Sequence, residues 1–226
     1  MKEIQAPVYA NIEINISRAK SSAVSAAHGI TPAEFAAIEE RVLAAHKILQ
    51  QERKEGKYGF YDLYKDKETL ADVKKAAAHF SSFGYENLVV LGIGGSALGI
   101  TALQTALNPP YFNTLSKKRR KGAPRLFVMD NIDPDTFRAM LRLCPPKKTL
   151  FNVISKSGET AETMSQLMIV VALLEKAVGT KAMKDHLVVT TSPTGKGAPK
   201  SLLHPVAKNY KLTSFSIPLN VGGRFS

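Results

Sequence analysis

The stretch LVVLGIGGSALGI, residues 88–100, decides how the rest of the chain is to be read. A short apolar run stops at Gly92, Gly94, Gly95 and Ser96. A helix-like pattern then carries Leu98, Ile100, Leu103 and Leu107 as far as Asn108-Pro109-Pro110. Glycine at such a junction removes the Cβ that would hold an anion away from backbone N–H groups. The helix that follows presents unpaired N–H groups and the positive end of its dipole, and Ser96 adds a hydroxyl donor. The loop reads as a phosphate cradle or, alternatively, as a tight strand-to-helix turn without a ligand.

Whose phosphate is open at this point. Gly92, Gly94 and Ala97 match the dinucleotide fingerprint in its Gly-or-Ala form, and Asp130 ends the second strand where a ribose-binding acid would sit. A nucleoside-triphosphatase loop is excluded, because no Gly-Lys-Ser or Gly-Lys-Thr follows at the required spacing.

Working outward, the strand–helix alternation continues. RLFVMD is a second strand, and DPDTFRAMLRLC a helix with Asp133 as cap and Pro134 in its first turn. TLFNVIS is a third strand. ETAETMSQLMIVVALLEKAVG is a third helix, with Met164, Leu167, Met168 and Val171 on one face and Gly179 near its end. HLVVTTS and TSFSIP supply a fourth and a fifth strand. Continuous apolar strands separated by crossover helices predict an α/β fold: a doubly wound, mostly parallel five-stranded sheet, covered on both faces by helices. Ligands of such sheets bind at the carboxyl ends of the strands, where strand order reverses.

Residues 1–57 read as a helical arm ahead of a domain spanning residues 58–226. ITPAEFAAIEERVLAAHKILQQER opens with Thr31, Pro32 and Glu34, the pattern of a capping box with proline at the first helical position. Phe35, Ile38, Val42 and Leu49 recur at helical spacing and are expected to share one buried stripe. A loop containing Gly56 and Gly59 leads to a further helix, ETLADVKKAAAHF.

The second loop, SKSGETAET, lies between the third strand and the third helix. Ser155, Ser157 and Thr160 offer hydroxyl donors, Lys156 a positive charge, and Gly158 close backbone approach. Ser and Thr also cap helices, but one cap needs one such residue. Several hydroxyls around a glycine favour anion binding. A dinucleotide site has no obvious use for this second cradle, whereas a compact phosphomonoester does.

Composition bounds the remaining classes. A hydrophobic share of 44% with 22% charged residues is globular composition. The single cysteine, Cys144, excludes an intramolecular disulfide and a cysteine-rich metal site. The N-terminus has no apolar core like that of a signal peptide and no window reaches membrane-spanning length, so a cytoplasmic location is expected. The net charge of +12 concentrates in SKKRRKGAPR, but no aromatic residues interleave these cations to stack bases. A solvated loop is therefore preferred to a nucleic-acid surface.

GIGGSALG followed by SKSGETAET resembles the sugar isomerase domain family, whose members bind phosphosugars. The finish IPLNVGGRFS and the stretch DNIDPDTF are similar to the glucose-6-phosphate isomerase branch, strongly from about Tyr58 and weakly before it. The resemblance implies interconversion of glucose 6-phosphate and fructose 6-phosphate through a cis-enediol, without a cofactor or metal, by a homodimer. It implies that Gly95, Ser96, Ser155, Lys156, Ser157, Gly158, Glu159 and Thr160 hold the substrate phosphate. Glu162 would lie close to the sugar, and Arg224 would stabilise the enediolate. Leu219 stands where the family signature carries an acidic or small polar residue.

The family's proton-shuttling Glu, its ring-opening His and a further Lys lie beyond the Gly-Gly-Arg motif, in a second domain with no matching positions here. His28, His46, His79, His186 and His204 lie outside the catalytic motif and are expected to be structural or surface groups. The expectation is an N-terminal, phosphate-binding part that is inactive alone and self-associates through uncovered apolar surface. Two other readings stand beside it: a non-catalytic phosphosugar-binding regulator, and an NAD-dependent oxidoreductase built on the first loop.

Overall fold

The computed structural model describes residues 15–225; Met1 to Ile14 of the expected arm, and Ser226 of the Gly-Gly-Arg-Phe-Ser motif, lie outside them. The chain divides into two compact units, residues 1–55 and 56–226.

In the first unit a single helical turn, α1 (Ser21–Val24), precedes the long helix α2 (Pro32–Lys54). The capping box forms as its residues predict. The Thr31 hydroxyl accepts the Glu34 amide at 3.2 Å, and the Glu34 carboxylate accepts the Thr31 amide at 2.8 Å. These bonds hold the Glu34 carboxyl below its ordinary pKa. The expected buried stripe is a correction: Phe35, Ile38, Val42 and Leu49 are 37%, 44%, 57% and 36% exposed. Helical periodicity puts them on one side, but no other described element of this unit is long enough to cover them.

The second unit begins with α3 (Lys67–Ser81), capped by Asp66, and then alternates strictly: β1 (Asn87–Leu91), α4 (Gly95–Leu107), β2 (Arg125–Met129), α5 (Pro134–Leu143), β3 (Thr149–Ile154), α6 (Ala161–Val178) with the short α7 (Met183–His186), β4 (Leu187–Thr191), α8 (Leu203–Tyr210) and β5 (Thr213–Ser216). The five strands form one all-parallel sheet in the order β2-β1-β3-β4-β5. The chain moves outward from β1 to β2 and then returns across β1 to β3. The order therefore reverses between β1 and β3, adjacent strands in register from Asn87 opposite Thr149 to Leu91 opposite Val153.

Right-handed crossovers place α4 on one face and α5, α6 and α8 on the other. The main core lies on the second face. There Val89, Leu91, Phe151, Val153, Leu187 and Val189 meet Phe137 and Met140 of α5, Leu167, Val170 and Leu174 of α6, and Leu203 of α8. The buried side of α6 is rotated from the expected one. Leu167, Val170 and Leu174 are fully covered, Met164 and Val171 pack at the margin, and Met168 is 70% exposed.

The opposite face is only partly covered. Burial alternates along β3, with Leu150, Asn152 and Ile154 half-buried. A groove of about 660 Å³ remains between α3 and the sheet, lined by Val73, Phe80, Leu88, Leu150, Val188 and Phe215. On α4 only Ala97 is buried, and Leu98, Leu103 and Leu107 face solvent. The expectation of a sheet covered on both faces thus holds fully for one face. Among the described residues no single helix is long and apolar enough to cross a membrane.

Candidate functional site

Both glycine- and serine-rich loops leave the carboxyl edge of the sheet at the point of reversal. The first follows β1, and the second, residues 155–160, follows β3. Neighbouring parallel strands lie about 4.8 Å apart, so the two loops share one crevice. Each opens a helix whose start lacks a side-chain cap: Gly94 has no side chain to offer, and the Thr160 hydroxyl does not bond the first turn of α6. The positive dipole ends of two helices therefore border the same space, which suits an anion. Ser96 in the first turn of α4 and Glu162 in the first turn of α6 are half-buried there.

Glycine is needed in these loops, for reasons that differ from residue to residue. Gly94 has φ +60, and a Cβ there would meet open space. Gly95 is a different case. A Cβ on it would lie 2.2 Å from the Gly223 carbonyl oxygen and 2.7 Å from the Arg224 Cα. The backbone before and at Arg224 thus rests directly on the first turn of α4. Gly158, at φ +68, would place a Cβ 2.0 Å from the Ser201 hydroxyl and 2.8 Å from the Leu202 nitrogen. At Gly95 and Gly158 the close approach is made by the chain itself.

The second loop is built on buried hydroxyls. Ser155, 3% exposed, accepts the Gly158 amide at 3.1 Å and pairs with Thr160 Oγ1 at 3.1 Å. Ser157 is exposed and accepts the Glu159 amide at 3.2 Å. Beneath them Thr191, at the end of β4, donates to the Ser155 carbonyl at 2.7 Å. Its hydroxyl lies 2.7 Å from that of Ser201, which in turn accepts the Leu203 amide. The Thr191 carbonyl takes the Ile217 amide at 2.8 Å, so the same residue anchors the segment that leads to Arg224. Sequence reasoning missed Thr191 and Ser201. The only available signal was the cluster of hydroxyls in Thr190-Thr191-Ser192 at a strand end.

Lys156 has partners that the sequence did not indicate. Its ammonium donates to the carbonyls of Leu219, at 3.0 Å, and Val221. Both carbonyls belong to the segment before Gly222. Arg224 itself is exposed in a single 3-10 turn, Gly223–Phe225, and has no ion-pair partner among the described residues. A plain surface ion pair does not account for it. Glu159 is exposed beside the loop. Two of the histidines have structural bonds: His186 Nδ1 lies 3.0 Å from the Thr149 carbonyl, and His204 Nε2 lies 2.8 Å from that of Ser192.

The arrangement brings the two helix-start loops together with an arginine whose backbone rests on the first turn of α4. A family model described as phosphoglucose isomerase matches residues 71–226, which include both loops and Arg224. The chain belongs to the phosphoglucose isomerase family. Within that family it is 43% identical over 195 residues to a glucose-6-phosphate isomerase of Carboxydothermus hydrogenoformans, covering 86% of this chain and 40% of that one. It is 36% identical over 198 residues to the enzyme of the same name from Rubrobacter xylanophilus, covering 88% and 43%. A solved structure, a hypothetical protein from Thermus thermophilus, superposes with a TM-score of 0.69 at 34% identity, over 86% of this chain and 43% of that one. The chain thus spans about 40% of the length of the curated phosphoglucose isomerase relatives it matches.

Proposed function

We propose that the chain supplies the phosphate-binding and charge-stabilising part of an aldose–ketose isomerase acting on glucose 6-phosphate and fructose 6-phosphate. The observation that carries this reading is the seating of the Arg224 backbone on Gly95, in the same turn that borders the anion crevice. In this reading the sugar carbons of a ligand whose phosphate lies in the crevice extend toward Arg224. Moving a proton between C1 and C2 leaves negative charge on an enediolate. A guanidinium stays charged and donates in a fixed fork, so it stabilises that charge as it develops.

In this reading Gly95 and Ser96, with the loop of Ser155, Ser157, Gly158, Glu159 and Thr160, surround the phosphate, and Glu162 borders the sugar. Lys156 supports the site through the Leu219 and Val221 carbonyls. The family resemblance places the acid–base Glu and the ring-opening His outside the motifs matched in these 226 residues. Binding without efficient turnover is therefore the expected behaviour of the chain by itself. The active assembly is a homodimer in the cytoplasm, and no cofactor takes part.

Calorimetric titration of the purified chain with both hexose phosphates, inorganic phosphate and NAD tests the reading, together with a coupled isomerisation assay. Sugar-phosphate binding without turnover supports it. Tight NAD binding with no response to sugar phosphates would overturn it in favour of the dinucleotide reading, which Asp130, directly after β2, keeps in view. Rapid interconversion by this chain would overturn the assignment of the proton transfer elsewhere.

A further inference from the structure

The β3–α6 loop and the segment carrying Arg224 are more than 60 residues apart in sequence, yet one side chain joins them: Lys156 bonds Leu219 O across 63 positions and Val221 O across 65. We propose that Lys156 is a positioning residue, a latch that fixes Arg224 relative to the anion cradle and does not itself hold the anion. The inference rests on the functional reading above and deepens it.

The base of the latch is rigid. The Lys156 carbonyl accepts the Ser192 amide at 3.0 Å and the Thr191 hydroxyl at 3.3 Å, so its main chain is tied to the buried network at the end of β4. An ammonium has three donors and no acceptor, and two of those donors are spent on carbonyls either side of Asn220. Those carbonyls belong to a turn that is also held from its other side. The Asn220 side-chain Nδ2 donates to the Gly56 carbonyl at 2.7 Å, and the Asn220 main-chain carbonyl accepts the Gly59 amide at 2.9 Å. Val221 is 1% exposed, and its amide donates to the Pro218 carbonyl at 3.0 Å.

Three residues past this turn, Arg224 lies against Gly95. The segment is therefore clamped at Ile217 by Thr191, at 219–221 by Lys156 and the Gly56–Gly59 loop, and at 223–224 by the first turn of α4. Among these contacts Lys156 supplies the charged one, and it issues from the loop that cradles the anion. Its chemistry suits the task, since a compact ammonium on a flexible stem can reach two carbonyls that a planar guanidinium fork would not match.

The test compares Lys156→Met, Lys156→Arg, Arg224→Met and the double Met variant by two readouts. The first is amide hydrogen exchange. Loss of the latch should speed exchange across residues 219–224 about tenfold or more, and leave residues 161–178 unchanged. The second is affinity for two probes, inorganic phosphate and a five-carbon aldonate 5-phosphate whose carboxylate mimics the enediolate charge. Lys156→Met should keep phosphate affinity within about twofold and lose about tenfold toward the aldonate, as charge-assisted contacts do. Lys156→Arg should recover neither fully, and the double variant should be no weaker than Arg224→Met alone. A tenfold loss of phosphate affinity in Lys156→Met, or unaltered exchange at residues 219–224, would overturn the proposal. If the unmodified chain binds neither probe, the site reading fails, and the exchange comparison still decides the role of Lys156.

Discussion

Replacing Gly95 by alanine separates the two reasons for having glycine in this loop. If the residue only clears the way for a ligand, an added methyl should stabilise the free protein. Glycine in a helix costs roughly 0.5–1 kcal/mol relative to alanine. The structure predicts the opposite sign. The new Cβ would stand 2.2, 2.5 and 2.7 Å from the Gly223 oxygen and the Arg224 carbonyl carbon and Cα, all of them main-chain atoms. To regain ordinary contact the Arg224 segment must withdraw by roughly 1 Å. Overpacking of this kind costs about 1–3 kcal/mol, which exceeds the helix gain.

Gly99 provides the control, because it lies in the same helix and a Cβ there meets nothing within 4 Å. Urea denaturation should show Gly95→Ala destabilised by about 1–2 kcal/mol and Gly99→Ala stabilised by about 0.5–1 kcal/mol. A displacement near 1 Å at Arg224 should also lower any turnover by the complete catalytic assembly about a hundredfold. Equal stabilisation by both substitutions would refute the seating of Arg224 on α4.

Further outcomes follow from other parts of the molecule. Ser155→Ala leaves the Gly158 amide and the Thr160 hydroxyl without their partner in a covered site, and should cost about 1–3 kcal/mol in the same denaturation assay. Gly158→Ala should be destabilising both through φ +68 and through the Ser201 hydroxyl, and combining it with Ser201→Gly should recover part of the loss. Burial pushes the Cys144 thiol up to about 11, with Arg125 opposing the shift. A thiol reagent should therefore spare the folded chain near neutral pH and react once it unfolds. The associated stability is intact below the ordinary thiol range and is lost as pH rises through about 11, which urea midpoints across alkaline pH would reveal. The exposed Leu98, Leu103 and Leu107 on α4 should drive concentration-dependent association in light scattering, and Leu103→Glu with Leu107→Glu should reduce it.

The sheet and its order of elements were legible because each apolar run was bounded by its own start and stop signals. Asp133 and Thr31 cap the helices they were read to cap, and the five strands fall where the runs lie. Coverage was not legible. Periodicity shows which residues share a side of a helix, as with Phe35 and Ile38, but says nothing of whether a neighbour lies against them. The candidate site was read as two loops and an arginine, since glycines and hydroxyls announce close approach. What approaches was beyond reach: a missing Cβ looks the same whether a phosphate or the main chain at Arg224 fills the space. The same holds for Lys156, whose charge was visible but whose acceptors are carbonyls distant in the chain. Thr191 and Ser201 were invisible because their pairing exists only once β4 and α8 are side by side.

That pairing bears on the order of assembly. Thr191 joins the Ser155 carbonyl 36 positions earlier, the Ser201 hydroxyl 10 positions later and the Ile217 amide beyond it. Closing such distant loops is slow, because chain entropy is lost before the contacts reward it. The crevice should therefore be finished last, when β5 docks and brings Arg224 onto α4, well after β1 and β3 have paired. A refolding chain would pass through a state with its sheet formed and no place for an anion, so added phosphate should slow unfolding and leave the early steps of folding untouched.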